Sequence, residues 1–417
     1  SGDLLTTPNL IGNVMRIDNQ EETASPAFQG SQTKSTNYSV GVGMNTSFGL
    51  NGKYTFNVQN TEITGVNTQL FPQPNFGTSY NKLELSQSLW KNGFGSQIRA
   101  KQAVIESANL TQEYTARHRI QDRLVAAENA YWRLAFARRT VEIQEDVLAR
   151  SNRALDWARR RSALQLADRS DFLQAQAGYD LNQLSLRSAR EEVRNAGRAF
   201  NLLRNQEGEV VAETLFIPTV KETVATKGLS RGKRYDILAA TQDQRRLEAE
   251  AQSRNEDLKP TVDLVANVSW MGRDATTGPA ISESFTGAHP NTGIGINLAV
   301  PLALGIVDRN SRGNELAKEA SRLNLEGAQL SETLGWNELV SKLADAQARL
   351  ALLSTIEGVQ KEKYEGERQR LLRGRTTTFQ ALQFETDYAT TQLKTLQTQG
   401  EVLGLLSQMK LFQGEEQ

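Results

Sequence analysis

From about Gln97 to Leu164 the chain contains neither proline nor glycine, and Ile120, Ala127, Leu134, Val141, Leu148 and Leu155 recur at intervals of seven. A heptad sustained that long predicts a coiled-coil seam rather than the stripe of a globular helix. At about 1.5 Å per residue the helix would run roughly 100 Å. A later segment, about 308–372, has the same character, with Leu316, Leu323 and Leu330 at heptad spacing. These helices are too polar to fold alone as a compact core. Their other faces carry dense mixed charge, and "ARRTVEIQEDVLARSNR" reads as solvated surface to which no chemistry is assigned.

A second kind of sequence alternates with the first. In "NYSVGVGMNTS", Tyr38, Val40, Val42 and Met44 share one face. In "GKYTFNVQN" the apolar set is Tyr54, Phe56 and Val58. "TVDLVANVSWM" places Val262, Leu264, Ala266, Val268 and Trp270 opposite Asp263, Asn267 and Ser269, and "TGIGINLAV" places Ile294, Ile296, Leu298 and Val300 opposite Gly293, Gly295 and Asn297. Strict alternation predicts strands with one apolar and one wet face. A soluble sheet over a core would show the same period. The wet face here is Gly, Ser, Asn and Thr with few lysines or glutamates, which favours a membrane barrel around a water-filled lumen. Between the helical regions, "VVAETLFIP" has residues that could supply a short strand.

Composition removes several classes. Lysine plus arginine equals aspartate plus glutamate at 48 each, so nothing electrostatic points to nucleic acid. The absence of cysteine excludes thiol catalysis and thiolate metal sites, and two histidines, His118 and His289, are too few for a histidine-built metal centre. No apolar run is long enough for a spanning helix; the best, "INLAVPLALGIV", is interrupted by Pro301. No nucleophile–base pair, phosphate loop, cofactor site or metal cluster is found. The opening "SGDLLTTPNL" reads as the end of an element that starts upstream.

The chain is also duplicated. With an offset of 209, Arg161 falls on Arg370, Asp171 on Gln380, Leu173 on Leu382, Gln174 on Gln383, Tyr179 on Tyr388 and Leu184 on Leu393. Each copy runs helix, β segment, long helix, corner, helix. The second corner, "RLLRGRTTTFQALQ", reads as a helix stop at Gly374 and a restart on threonine. The first β region is about forty residues longer than the second, with room for another hairpin around 49–78. Whether that insertion adds strands or only loops stays open.

"SQSLWKNG", "RRRSALQLADRSDFLQAQAGYDLNQL", "RYDILAATQDQRRLEAEAQ", "LLRGRTTTFQALQFETDYATTQL" and "LKPTVDLVANVSW", in this order and with the duplication, resemble the TolC family of bacterial outer-membrane efflux ducts. The resemblance implies an α+β membrane protein. A homotrimeric outer-membrane β-barrel would continue into a long periplasmic α-helical barrel built from a tandem structural repeat. It implies the following parse: 1–8, end of a truncated N-terminal helix; 9–90, first β-barrel segment with insertion; 94–205, first helical hairpin; 206–233, equatorial strap; 234–258, helix of the second repeat; 260–304, second β-barrel hairpin; 308–412, second helical hairpin. The location implied is the outer membrane of a Gram-negative bacterium, in contact with its lipid.

The function implied is a passive exit duct of a tripartite efflux or type I secretion system, with no cofactor. Its partners would be a periplasmic adaptor and an inner-membrane RND or ABC transporter. The alternative class is a structural coiled-coil or adhesin-like surface protein with a β cap. By position the resemblance makes Arg161, Gln165, Leu166 and Ala167, with Arg370, Gly374, Arg375 and Thr376, the residues of the adaptor-docking tips. Two departures stand out: Gln165 replaces an expected glycine, and Gln380 and Gln383 stand where an acidic ring would narrow the aperture. Asp171 is placed either to pair with Arg375 as a gate latch or to N-cap the return helix.

Overall fold

The structure, a computed structural model, describes residues 2–165, 168–287, 289–302 and 304–414. A 3₁₀ turn at Gly2–Leu5 precedes strand β1 (Asn9–Asn19), a single turn α1 (Pro26–Gln29), and strands β2 (Gln32–Asn45), β3 (Leu50–Thr64) and β4 (Asn75–Ser88). Two long helices follow, α2 (Ser96–Ala163) and α3 (Arg169–Leu203), then the short α4 (Val220–Ala225) and α5 (Tyr235–Asp257). The second half continues with β5 (Thr261–Asp274), α6 (Thr277–Ser284), β6 (Asn291–Ala299), α7 (Leu304–Leu372) and α8 (Thr378–Met409). Contacts divide the chain into two compact units, Ser1–Gln112 with Ala240–Glu326, and Glu113–Ala239 with Gly327–Gln417.

The first unit contains one antiparallel sheet in the order β1-β2-β3-β4-β5-β6. Its register separates the two faces. Leu10, Val42, Tyr54, Leu83 and Val268 stand directly opposite one another across successive strands, and directly opposed residues share a face. One residue along, Asn9, Gly43, Lys53, Glu84, Asn267 and Gly293 form the neighbouring row on the other face. The sheet curls around this polar face, leaving a cleft of about 540 Å³ to which all six strands contribute. The apolar face is left open: Leu10 and Ile294 are each 80% exposed. Only at one end is it covered. There Asn81 Nδ2 donates to the Ser284 carbonyl of α6 at 3.0 Å, and Phe285 packs on Phe56 with ring centroids 5.5 Å apart.

Region 9–90 supplies four of the strands and region 260–304 two. The chain reverses between Asn45 and Leu50 and again between Thr64 and Asn75, so the inner pair is β2–β3. The reversal between β3 and β4 falls within 49–78, where another hairpin was expected, and β4 runs on to Ser88. At the exit from β4, Gly95 adopts φ +81° and any Cβ there would lie 2.0 Å from the Ser47 carbonyl, so only glycine fits. Asn92 Oδ1 accepts from the Gln97 and Ile98 backbone N–H groups at 3.0 and 3.1 Å, satisfying the first orphan donors of α2. Among the described residues, no helix is long and apolar enough to cross a membrane.

The second unit is held by a core of Leu343, Ala346 and Leu350 from α7 against Val402, Leu403, Leu405, Leu406 and Met409 from α8. The helical heptads are only partly covered within the chain. Leu134 and Leu155 are buried, whereas Ile120 is 61% exposed, and Leu316 in the first unit is 71% exposed.

Two expectations fail in this unit. "VVAETLFIP" forms no strand. Its backbone groups bond to helix side chains instead: Arg138 donates to the Val211 and Glu213 carbonyls, and the Tyr131 hydroxyl donates to the Phe216 carbonyl while accepting from its N–H. Those bonds engage the Val211, Glu213 and Phe216 carbonyls and the Phe216 N–H that a strand ladder would use. Nor is "ARRTVEIQEDVLARSNR" solvated throughout, since the Arg150 side chain is only 7% exposed.

Candidate functional site at the two helix corners

The second corner is a Schellman motif. The Gly374 N–H donates to the Leu371 carbonyl and the Arg375 N–H to the Arg370 carbonyl, each at 2.9 Å, with Gly374 at φ +69°. The three threonines then do different things. Thr376 donates its hydroxyl to buried Glu367, which also accepts from Arg370 at 3.3 Å. Thr377 N-caps α8, accepting from the Gln380 N–H at 3.3 Å. Thr378 is buried, its hydroxyl without a partner.

The first corner has the same outline with a different residue at the turn. Gln165 occupies the left-handed region at φ +52°, and its N–H donates to the Ser162 carbonyl at 3.1 Å. Leu166 and Ala167 lie outside the described residues. The N-cap of α3 is Asp168, so Asp171 is not the cap; it is in the first turn, its N–H bonded to the Asp168 carbonyl at 3.1 Å. There its charge complements the N-terminal end of the helix dipole. Asp171 and Arg375 make no ion pair among the described residues of the chain. Arg161 is half-buried, while Arg370, Arg375, Gln380 and Gln383 are exposed.

The corners are joined by a small core in which Leu155 and Ala158 of α2 and Ala175 of α3 meet Phe172, Tyr179 and Leu382. Gln383 donates to Asp387 at 3.1 Å and lines a cleft of about 490 Å³ between α2, α3 and α8, in which Gln174, Asn182 and Thr386 alternate with Leu181, Phe379 and Leu382.

Close to this core is a buried ionic cluster that the sequence reading missed. Arg150 Nε donates to Glu385 Oε1 at 3.0 Å, and both side chains are under a tenth exposed. The Arg150 guanidinium also bonds Asp146 and lies 5.6 Å from the ring centroids of both Tyr364 and Tyr388, which stack on one another at 6.0 Å. Burial pushes the Glu385 carboxyl above the usual range despite the arginine, and burial likewise raises both tyrosines. In sequence these residues look like any other charged heptad positions. The only available signal was the Glu385–Tyr388 spacing, which puts both on one helix face. Among the described residues no cluster of His, Asp and Glu side chains could hold a metal ion.

Residues 228–410 match the outer membrane efflux protein family. No curated protein matches the sequence. Among solved structures, the outer-membrane channel OprN is 15% identical at a TM-score of 0.68, over 99% of this chain and 83% of that one. VceC, an outer membrane protein of Vibrio cholerae, is 15% identical at 0.66, over 99% of this chain and 88% of that one. The open state of the MtrE outer membrane channel of Neisseria gonorrhoeae is 15% identical at 0.64, over 99% and 81%. At this level of identity the likeness establishes the fold.

Proposed function

We propose that the whole chain, of which residues 228–410 match the outer membrane efflux protein family, is one protomer of a passive outer-membrane exit duct, not an enzyme. The observation that carries this reading is the sheet: six strands, one face apolar and exposed, the other polar and concave, with β1 and β6 both unpaired at their outer edges. Open edges are not tolerated in lipid, and a sheet of six is too small to close on itself as a water-filled barrel. Closure therefore takes further copies around an axis.

Three copies of the six-stranded sheet give eighteen strands in a shared barrel, within the range that encloses an aqueous channel. The exposed heptad residues of α2 and α7 become contacts between neighbouring helices in the periplasmic tunnel. The two corners form its tips, with the exposed Arg370, Arg375, Gln380 and Gln383 meeting the adaptor or lining the aperture. A proton- or ATP-driven inner-membrane transporter supplies the energy. Because Gln380 and Gln383 are neutral, the aperture lacks an acidic ring and does not select cations there. A coiled-coil surface protein with a β cap does not explain an apolar sheet face beside a polar concave one.

Reconstitution in a planar bilayer tests the reading. Detergent-purified protein is expected to run as a trimer and to give discrete conductance steps. A water-soluble monomer that leaves the bilayer silent would refute it.

A further inference from the structure

Strand β1 departs from the strands that flank it. Counting along it from Asn9, every second residue shares the polar, concave face: Ile11, Asn13, Met15 and Ile17. Ile11 lines the concave cleft, and a Cβ on Gly43, the partner of Asn9, would lie 3.2 Å from Ile11 Cδ1. The other face of β1 carries Leu10 and Val14, so this strand is apolar on both sides. Ile11, Met15 and Ile17 are between 38% and 51% exposed, and apolar side chains turned toward a water-filled lumen call for an occupant. The flanking strands supply no cover. On β2 the residues opposite are Gly41, Asn37 and Ser35. On the other side, ring closure brings β6 of the next copy, whose residues on this face are Asn291, Gly293, Gly295, Asn297 and Ala299 whatever the register. Lipid meets the convex face, not this one.

From this geometry we propose that Ile11, Met15 and Ile17 form an apolar track on the lumen wall at each junction between copies, and that the track holds the apolar side of an amphipathic solute on its way out. The inference rests on the duct reading and names a site in the barrel at which cargo chemistry is sensed. At about 3.3 Å per residue the track is about 20 Å long, enough for a drug-sized molecule to lie along it. Met15, unbranched and polarisable, adapts to surfaces of different shape. Gly41 on one side and Gly293 and Gly295 on the other leave room for the bulk of the solute. Asn13 within the strand and Asn37 beside Met15 offer carboxamides to its polar groups. A solute polar throughout gains nothing from the track. One apolar on every side keeps most of its surface in water, because the track is a single side chain wide.

The test uses the full chain in a planar bilayer, with tetraphenylphosphonium and tetramethylammonium as probes of equal charge and unlike surface, added on the barrel side. Tetraphenylphosphonium is expected to lower the single-channel current saturably, at concentrations where tetramethylammonium has no effect. Combining Ile11→Asn, Met15→Asn and Ile17→Asn is expected to raise its half-blocking concentration at least fivefold, with the unblocked current unchanged. If the triple variant fails to assemble, Met15→Asn alone carries the comparison, with a rise of about twofold expected. In a separate arm, Met15→Cys in assembled trimers is expected to react with a membrane-impermeant maleimide. Equal block of wild type and variant would overturn the proposal. So would protection of the introduced thiol, which would mean that another segment covers the strand. A wild-type chain that does not conduct would defeat the duct reading, a separate failure.

Discussion

At the level of single residues, the two corners form a natural experiment. Gly374 and Gln165 are equivalent in the internal repeat, and both take left-handed backbone, φ +69° and +52°. Glycine does so without steric cost, whereas a residue with a Cβ is strained by roughly 1–2 kcal/mol. A Cβ at Gly374 would meet nothing within 4 Å, so its cost is conformational only. Gly374→Ala is therefore expected to destabilise the second corner by about 1 kcal/mol, and Gln165→Gly to stabilise the first by up to about 1 kcal/mol. Shifts of opposite sign in denaturant midpoints would confirm this, and shifts of the same sign would contradict it.

Glu385 makes a second prediction. Its carboxyl is raised above 4.5 by burial, beside Arg150, Arg153 and Asp146 of α2 and close to Tyr364 of α7. A carboxyl raised in the fold binds its proton more tightly there than when unfolded. Its stabilising contribution is therefore fully present below about pH 4.5 and is lost as pH rises through the folded value. Glu385→Gln should flatten that part of the stability–pH curve, measured by thermal unfolding at matched salt. The glycine corner was legible in the sequence because Gly374 is followed, after Arg375, by a run of three threonines, a helix stop beside candidate caps. The Arg150–Glu385 pair was not, because burial of a charge leaves no trace in a mixed-charge heptad.

Among the elements, the long helices and alternating strands were readable because their periods, near 3.5 and 2, persist over many residues. The segment 210–218 shows where that reading fails. Its β-branched and aromatic residues favour a strand, yet the Tyr131 and Arg138 side chains reach its backbone before any strand partner does. Local propensity gives way to tertiary hydrogen bonding. Tyr131→Phe removes both bonds to Phe216 at once. Because Phe216 is itself 70% exposed, water replaces part of the loss, and the expected cost is about 1 kcal/mol. Amide exchange at Phe216 should then accelerate roughly fivefold, with protection in the α7–α8 core unchanged. Unaltered exchange at Phe216 would show that the Tyr131 bonds do not hold this segment.

For the whole molecule, the sheet sets the problem that assembly must solve. One polar row, Asn9 to Gly293, faces a curved interior, and one apolar row, Leu10 to Val268, faces outward with no covering core. The duplication and the alternation made this outline readable. The strand count stayed open in the sequence: alternation marked parts of β2, β3, β5 and β6, but it did not decide whether the insertion added strands or only loops. If β6 of one copy pairs with β1 of the next, a cysteine on each edge will lie within disulfide reach at some register. The chain has no cysteine of its own, so introduced ones report cleanly. Gly295→Cys on β6, combined in turn with single cysteines from Leu10 to Ile17 on β1, is expected to give crosslinked ladders in outer-membrane preparations. The ladder should end at three chains, because the third bond closes the ring and leaves no free edge. Products that continue past three would mean a larger ring or an open array, and no product at any register would mean that the two edges do not meet.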